Sequence, residues 1–133
     1  MKNNPLIQLE KLGQSVWLDF INRNLITSGE LRRLIEVDGL SGITSNPAIF
    51  EKAISESNDY QHDIKAMLAE GRDAKAIYEA ISLKDLQLAA DEFRPLYNET
   101  NGEDGYVSME VDPHLAYNTN GTIEEARRLW NAL

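Results

Sequence analysis

Apolar and polar positions alternate along this chain in blocks that predict strands and helices in a recurring order. From Ser15 to Ile21 the side chains alternate, with Val16, Leu18 and Phe20 on one face and Trp17, Asp19 and Ile21 on the other. Both faces are largely apolar, which predicts a strand covered on both sides. Before it, Leu6, Leu9 and Leu12, with Ile7, fall at helical spacing after Pro5, and Gly13 stops the run. After it, Thr27 and Glu30 have capping-box spacing, Leu31, Leu34 and Ile35 form an apolar stripe, and Asp38-Gly39 closes the helix. The stretch from Gly42 to Phe50, Gly-Ile-Thr-Ser-Asn-Pro-Ala-Ile-Phe, alternates β-branched and small polar residues as far as Asn46. Pro47 fits only the first turn of a helix, so a buried strand hands over to a helix there. Strand, helix, strand in that order predicts the βαβ unit of a parallel sheet with a right-handed crossover.

The next crossover is longer. Ile49, Phe50, Ala53 and Ile54 continue the helix begun at Pro47, up to a polar break from Ser55 to Asp59. Tyr60, Ile64, Met67 and Leu68 stripe a helix ended by Gly71, and Ile77, Ala80 and Ile81 stripe another capped by Asp73. A third helix follows Ser82 through Leu86, Ala89, Ala90 and Phe93 and ends near Pro95. A βαβ connection needs far less, so this crossover is an elaborated layer. Asn101-Gly102 and Asp104-Gly105 predict turns ahead of a third strand from Tyr106 to Val111. There Val107, Met109 and Val111 share one face, Ser108 and Glu110 the other, and Asp112 continues the second face. Thr122 and Glu125 form a capping box for a last helix striped by Ile123, Ala126, Leu129, Trp130 and Leu133, with Trp130 in the core. The fold class is therefore α/β, with strands near 15–21, 41–46 and 106–111 and no linker, repeat or low-complexity break.

Composition narrows this picture. At 133 residues the chain has the length of one domain. It is short of the roughly 250 residues typical of a closed eight-stranded barrel. Its 42% apolar and 26% charged residues are those of an ordinary globular protein rather than a disordered or membrane-spanning one. A net charge of -9 repels phosphate backbones and anionic lipid, so neither nucleic acid nor membrane is expected as a partner. The chain has no cysteine, which removes disulfides, thiolate metal sites and thiol nucleophiles together. Met1 to Leu6 holds one lysine and no long apolar run, so no signal peptide or membrane anchor is expected and the cytoplasm is the default compartment. The triplets Asn98-Glu99-Thr100 and Asn120-Gly121-Thr122 then read as turn and cap chemistry rather than glycosylation sites.

Candidate chemistry gathers at the carboxyl ends of the strands, where α/β folds place ligands. Each predicted strand carries hydrophilic groups there: Asp19, then Thr44 and Asn46, then Glu110 with Asp112. A carboxylate on a core-facing position costs several kcal/mol unless it is paired or hydrogen-bonded, so two on neighbouring strands predict a polar pocket. Such a pocket suits general acid and base work. Each residue also has a plainer role open to it. Asp19 is placed to bond the following loop, Asn46 to cap the helix that Pro47 starts, Glu110 to pair with a lysine or arginine, and Asp112 to cap ahead of Pro113. Trp17 lines the pocket by parity. His62 and His114 have no second ligand at metal spacing, and the sequence lacks Gly-x-Gly-x-x-Gly, Gly-Lys-Ser/Thr and Gly-x-Ser-x-Gly motifs, so neither cofactor nor metal is expected.

These residues resemble the transaldolase family. Its first signature is an Asp/Gly-x-Thr-Ser/Thr-Asn-Pro-small-apolar-apolar run on the second barrel strand, and Gly42 to Phe50 fits it throughout. Trp17-Leu18-Asp19 matches a Trp-x-Asp on the first strand, and Glu110 to Pro113, followed by Leu115-Ala116, matches a Glu-Val-Asp-Pro on the third. The opening from Asn4-Pro5-Leu6 to Leu12-Gly13-Gln14-Ser15, with the long helical crossover, is most similar to the bacterial form also found fused to a glucose-6-phosphate isomerase.

The resemblance implies a TIM (β/α)8 barrel that moves a dihydroxyacetone unit between ketose and aldose phosphates in the pentose phosphate pathway. In that frame Asp19 is the acid/base at the hydroxyl whose deprotonation breaks the carbon–carbon bond. Glu110 manages a water during formation and hydrolysis of the imine, and Asn46, with Thr44 beside it, binds the donor's hydroxyls. Aldolases of the superfamily that release the unit tend to carry glutamine at the position of Glu110, so Glu110 favours transfer. The family's Schiff-base lysine belongs to a fourth strand, in an apolar-Lys-apolar setting that none of Lys2, Lys11, Lys52, Lys65, Lys75 or Lys84 has. A lysine nucleophile needs burial that lowers its pKa.

The expectation is a single incomplete barrel segment, residues 1–133, ending before that strand and inactive by itself. Its partners would be the sugar-phosphate substrates of the parent protein. Two alternatives stand beside it. One is a non-catalytic assembly module that self-associates through exposed strand edges. The other is a small aldolase complete in itself, which lacks a nucleophile.

Overall fold

A parallel sheet of three strands, in the order β1-β2-β3, organises the computed structural model, which describes residues 4–133. The strands are β1 (Val16–Asp19), β2 (Leu40–Thr44) and β3 (Tyr106–Val107). Trp17 pairs with Gly42, Asp19 with Thr44, and Gly42 with Tyr106. β2 is central and is buried from Leu40 to Ile43, as a β-rich run flanked on both edges should be. Trp17 lies across it, where a Cβ on Gly42 would run into the indole ring.

The strands are shorter than predicted. β1 ends at Asp19 rather than Ile21, because Asn22 starts a helix by accepting from the Leu25 N–H at 2.7 Å. β3 stops at Val107: the Ser108 N–H still reaches Ile43 at 3.0 Å, but the Ser45 hydroxyl takes the Ser108 carbonyl at 2.7 Å in place of a ladder bond.

Seven helices accompany the sheet in the described residues: α1 (Pro5–Lys11), α2 (Arg23–Thr27), α3 (Glu30–Asp38), α4 (Pro47–Glu56), α5 (Gln61–Ala69), α6 (Ala74–Glu99) and α7 (Thr119–Ala132). Asn4 caps α1 and Asp73 caps α6. Neither predicted capping box forms. Thr27 lies inside α2, where its hydroxyl donates to the Arg23 carbonyl at 3.0 Å, and Gly29 in the left-handed region precedes α3. Asn118 caps α7 through the Gly121 N–H at 2.9 Å, one turn before Thr122, whose hydroxyl donates back to Leu115 and Asn118. At α7 a residue upstream of Thr122 claims the free N–H group first, whereas α3 starts after Gly29 with no side-chain cap.

The two helices expected around Ser82 are one helix of 26 residues. Ser82 is fully buried inside it, so the polar residue marks no break. Pro95 also lies within α6: the carbonyl it cannot bond belongs to Asp91 on an exposed turn, where an unmade bond costs least. Among the described residues no helix is long and apolar enough to cross a membrane.

The core lies on one side of the sheet. Ile21, Leu25, Ile26, Leu31, Ile43, Phe50, Leu86 and Phe93 form it, with Leu18 and Val107 packed against it from the sheet. Ile21 thus joins the core and not the face of Asp19. The opposite face is not covered as predicted: Trp17 is 40% exposed there, and Asp19 and Tyr106 are exposed with it. Trp130 was expected in the core and is 79% exposed, because α7 packs through Leu129. It lines an open groove beside β3 with Tyr106 and Leu133.

Candidate active site

The predicted site residues stand at or just past the strand ends, in two groups. Asp19 and Thr44 close β1 and β2 in register, and the Thr44 hydroxyl donates to Asp19 Oδ1 at 2.6 Å. Asp19 is therefore held by the neighbouring strand rather than by the loop that follows it. Both residues belong to the open face that carries Trp17.

Asn46 and Glu110 line a cavity of about 260 Å³ past the ends of β2 and β3, together with Phe50, Lys75, Tyr78 and Leu129. Asn46 does cap α4: its Oδ1 accepts from the Ile49 N–H at 3.0 Å, while its backbone carbonyl accepts from Phe50 at 3.2 Å. The cap uses the side-chain oxygen and leaves Nδ2 without a hydrogen-bond partner among the described residues. Glu110 is exposed and makes no ion pair or hydrogen bond among the described residues, so the ion pair open to it from the sequence is absent. An unpartnered carboxylate and an unpartnered amide on one cavity are available to a ligand's hydroxyls or to water.

Asp112 has the capping role. It accepts from the His114 N–H at 2.9 Å at the head of a 3-10 turn (Pro113–Leu115), contacts His114 Nδ1 at 2.8 Å, and pairs with Lys75 Nζ at 2.7 Å. The Lys75 ammonium first, and then the His114 bonds, hold its carboxyl well below the usual carboxylate range. His114 bonds within this turn and stands exposed at the rim of the cavity, and His62 is exposed on α5.

The periodicity gave no reason to look for two of the cavity's residues. Lys75 and Tyr78 sit three residues apart near the start of α6, on the side that turns toward the strand ends and α7 across the cavity, with Lys75 exposed and Tyr78 half-buried. The Tyr78 ring meets Phe50 edge-on, with centroids 6.2 Å apart at 87°. Burial pushes the Tyr78 phenol above its ordinary value against an opposing effect of Ser82, and the charge of Glu110 adds to the rise. The phenol is thus a protonated donor. The only available signal was the spacing of Lys75, Tyr78 and Glu79 behind the Asp73 cap.

A second polar cluster was also unforeseen. Asp85, fully buried in α6, accepts from Arg23 Nε and from the buried Tyr60 hydroxyl, each at 2.9 Å, and that hydroxyl accepts from the Arg23 N–H at 2.9 Å. Arg23 also reaches Asp63 at 2.6 Å. The cluster ties the elaborated crossover to the segment that follows Asp19.

The described lysines, Lys11, Lys52, Lys65, Lys75 and Lys84, all lie on helices; Lys2 lies outside the described residues. Lys75 alone among them lines the cavity, and Asp112 raises its pKa rather than lowering it. A nucleophilic lysine requires the opposite shift.

Comparison with known proteins bears on what this arrangement belongs to. The family model described as transaldolase/fructose-6-phosphate aldolase matches residues 16–133, from the first residue of β1 through α7. The chain belongs to the transaldolase/fructose-6-phosphate aldolase family. A transaldolase of Trichodesmium erythraeum (strain IMS101) is 48% identical over 133 residues, covering all of this chain and 35% of its own length. One from Thiobacillus denitrificans (strain ATCC 25259 / T1) is 46% identical over 123 residues, 92% of this chain and 34% of its own. One from Mycobacterium bovis (strain BCG / Pasteur 1173P2) is 40% identical over 129 residues, 97% of this chain and 35% of its own. The chain thus spans about a third of the length of the curated transaldolases it matches. Within this family, all four predicted site residues and the whole of the long crossover fall inside the matched region.

Proposed function

We propose that this chain is the N-terminal third of a transaldolase and one incomplete segment of its (β/α)8 barrel, residues 1–133. The parent protein transfers a dihydroxyacetone unit from sedoheptulose 7-phosphate to glyceraldehyde 3-phosphate, giving erythrose 4-phosphate and fructose 6-phosphate, in the cytoplasmic pentose phosphate pathway. The observation that carries this reading is the Asp19–Thr44 hydrogen bond across paired strand ends, together with an unpartnered Asn46 amide and Glu110 carboxylate on a cavity just past the ends of β2 and β3. Asp19 takes the proton of the donor hydroxyl as the adjacent carbon–carbon bond breaks, and returns it when the new bond forms. Thr44 orients that carboxylate. Asn46 holds the donor's hydroxyls in the reacting conformer, and Glu110 delivers and removes the water of imine exchange.

The covalent step needs a neutral buried lysine, which the described residues do not provide, and on this reading the chain alone is inactive. In the full-length protein, Asp19→Asn and Glu110→Gln should each lower transfer from fructose 6-phosphate to erythrose 4-phosphate by about 10²-fold or more. Wild-type rates in both variants would refute the assignment.

The open face with Trp17 and Tyr106, and the free edges of β1 and β3, support self-association of the isolated chain. Light scattering that finds only monomers at a concentration of about 50 μM, within the micromolar-to-millimolar range where exposed edges associate, contradicts this.

A further inference from the structure

Glu110 sits where the sheet no longer holds the chain. The last bonds to β2 are those of Ser108, and Met109, Glu110 and Val111 make no backbone-to-backbone hydrogen bond among the described residues. A carboxylate that must present one oxygen to a water needs its backbone fixed within about half an ångström. The segment has an anchor on either side of Glu110. Upstream, the buried Ser45 hydroxyl grips the Ser108 carbonyl at 2.7 Å. Downstream, Lys75 Nζ grips Asp112 at 2.7 Å, and the same carboxylate caps the turn that starts at Pro113.

Lys75 stands on a firm base. Asp73 caps its helix through the Ala76 N–H at 2.8 Å, Ile77 and Ile81 are buried on that helix, and Glu79 is held by the two terminal guanidinium nitrogens, Nη2 and Nη1, of Arg128 on α7, at 2.7 and 2.8 Å. Lys75, Asp112 and Glu110 all line one cavity.

We propose that Lys75 and Asp112 form a positioning pair for Glu110, so that the long crossover helix α6 is a working part of the site. The inference rests on Glu110 handling water in the proposed transfer reaction, and it gives the elaborated crossover a task that a bare βαβ connection does not perform. An exposed ion pair adds little to global stability. A decorative pair would therefore be silent on removal, whereas a positioning pair shows itself at Glu110 while the fold stays intact.

The test replaces Lys75 by Met, which keeps the length of the side chain, and by Arg, which restores the charge. In the chain itself, backbone ¹⁵N relaxation should show the Glu110 order parameter falling from about 0.85 to below about 0.6 in Lys75→Met and recovering in Lys75→Arg. In the full-length protein, Lys75→Met should lower kcat about 5-fold with KM for fructose 6-phosphate within about twofold, and Lys75→Arg should recover most of it. An unchanged order parameter, an unchanged kcat, or failure of the Arg variant to recover either quantity overturns the proposal. If the wild-type full-length protein transfers nothing, the functional reading fails, and the relaxation measurement still decides whether the pair holds Glu110.

Discussion

Asn46 shows how one side chain serves fold and site together. Its oxygen caps α4, which leaves the Nδ2 donors without a partner among the described residues, on a residue that lines the same cavity as Glu110. The dipeptide Asn46-Pro47 announced the cap in sequence, since proline at the first helical position after an asparagine has one common meaning. Asp112 before Pro113 was legible for the same reason. Its second contact was not, because Lys75 lies on another element 37 residues away in sequence and no local pattern reports such a pairing. That contact sets a pH window. The Asp112 carboxyl is depressed in the folded chain, so its contribution is complete above the ordinary aspartate pKa of about 3.9 and is lost only as pH falls through the lower folded value. A carboxyl ¹³C titration should place Asp112 clearly below about 3.9, and Lys75→Met should return it toward that value. A normal midpoint in the unsubstituted chain would mean that the pair is not formed in solution.

Among the elements, β2 and the turn into α4 followed the sequence closely, because burial on both edges and the Asn-Pro boundary leave little choice. β3 and α6 did not. The alternation from Tyr106 to Val111 reports which side chains face the core, yet it cannot report that the Ser45 hydroxyl ends the ladder at Ser108. Ser82 and Pro95 read as helix ends, and both are absorbed, one by burial and the other by an exposed turn.

What starts β3 is Gly105, whose N–H donates to Ser41 at 2.8 Å with φ at +91°, against the backbone of α6. A Cβ there would lie 2.7 Å from the Tyr97 nitrogen and 2.9 Å from its Cα. Gly105→Ala should therefore cost at least about 1–3 kcal/mol in urea unfolding, from the left-handed backbone alone. It should also weaken protection of the amides that pair β2 with β3. A change under about 0.5 kcal/mol, the ordinary range for a surface substitution, would show that α6 does not set this register.

For the molecule as a whole, hydrophobic patterning located the sheet and its helical layer but misjudged the second face. Trp17 and Trp130 are apolar residues at strand and helix periods, and such residues are expected to be covered. Both are exposed on the described chain, on the open face and in the groove beside β3. The buried Arg23–Tyr60–Asp85 cluster went unseen because charged residues at single positions look like solvated surface until three elements meet. The site is divided in the same way. The groups proposed for acid/base, hydroxyl-binding and water-handling work stand at or past the ends of β1 to β3, and the described lysines stand on helices, with Lys75 the only one of them on the cavity and held charged.

That division is tested most directly by sodium borohydride reduction in the presence of fructose 6-phosphate, followed by intact-mass analysis. The full-length protein should gain the mass of one reduced dihydroxyacetone adduct, and this chain, treated identically, should gain none. An adduct on any lysine of this chain, or none on the full-length protein, would contradict the account.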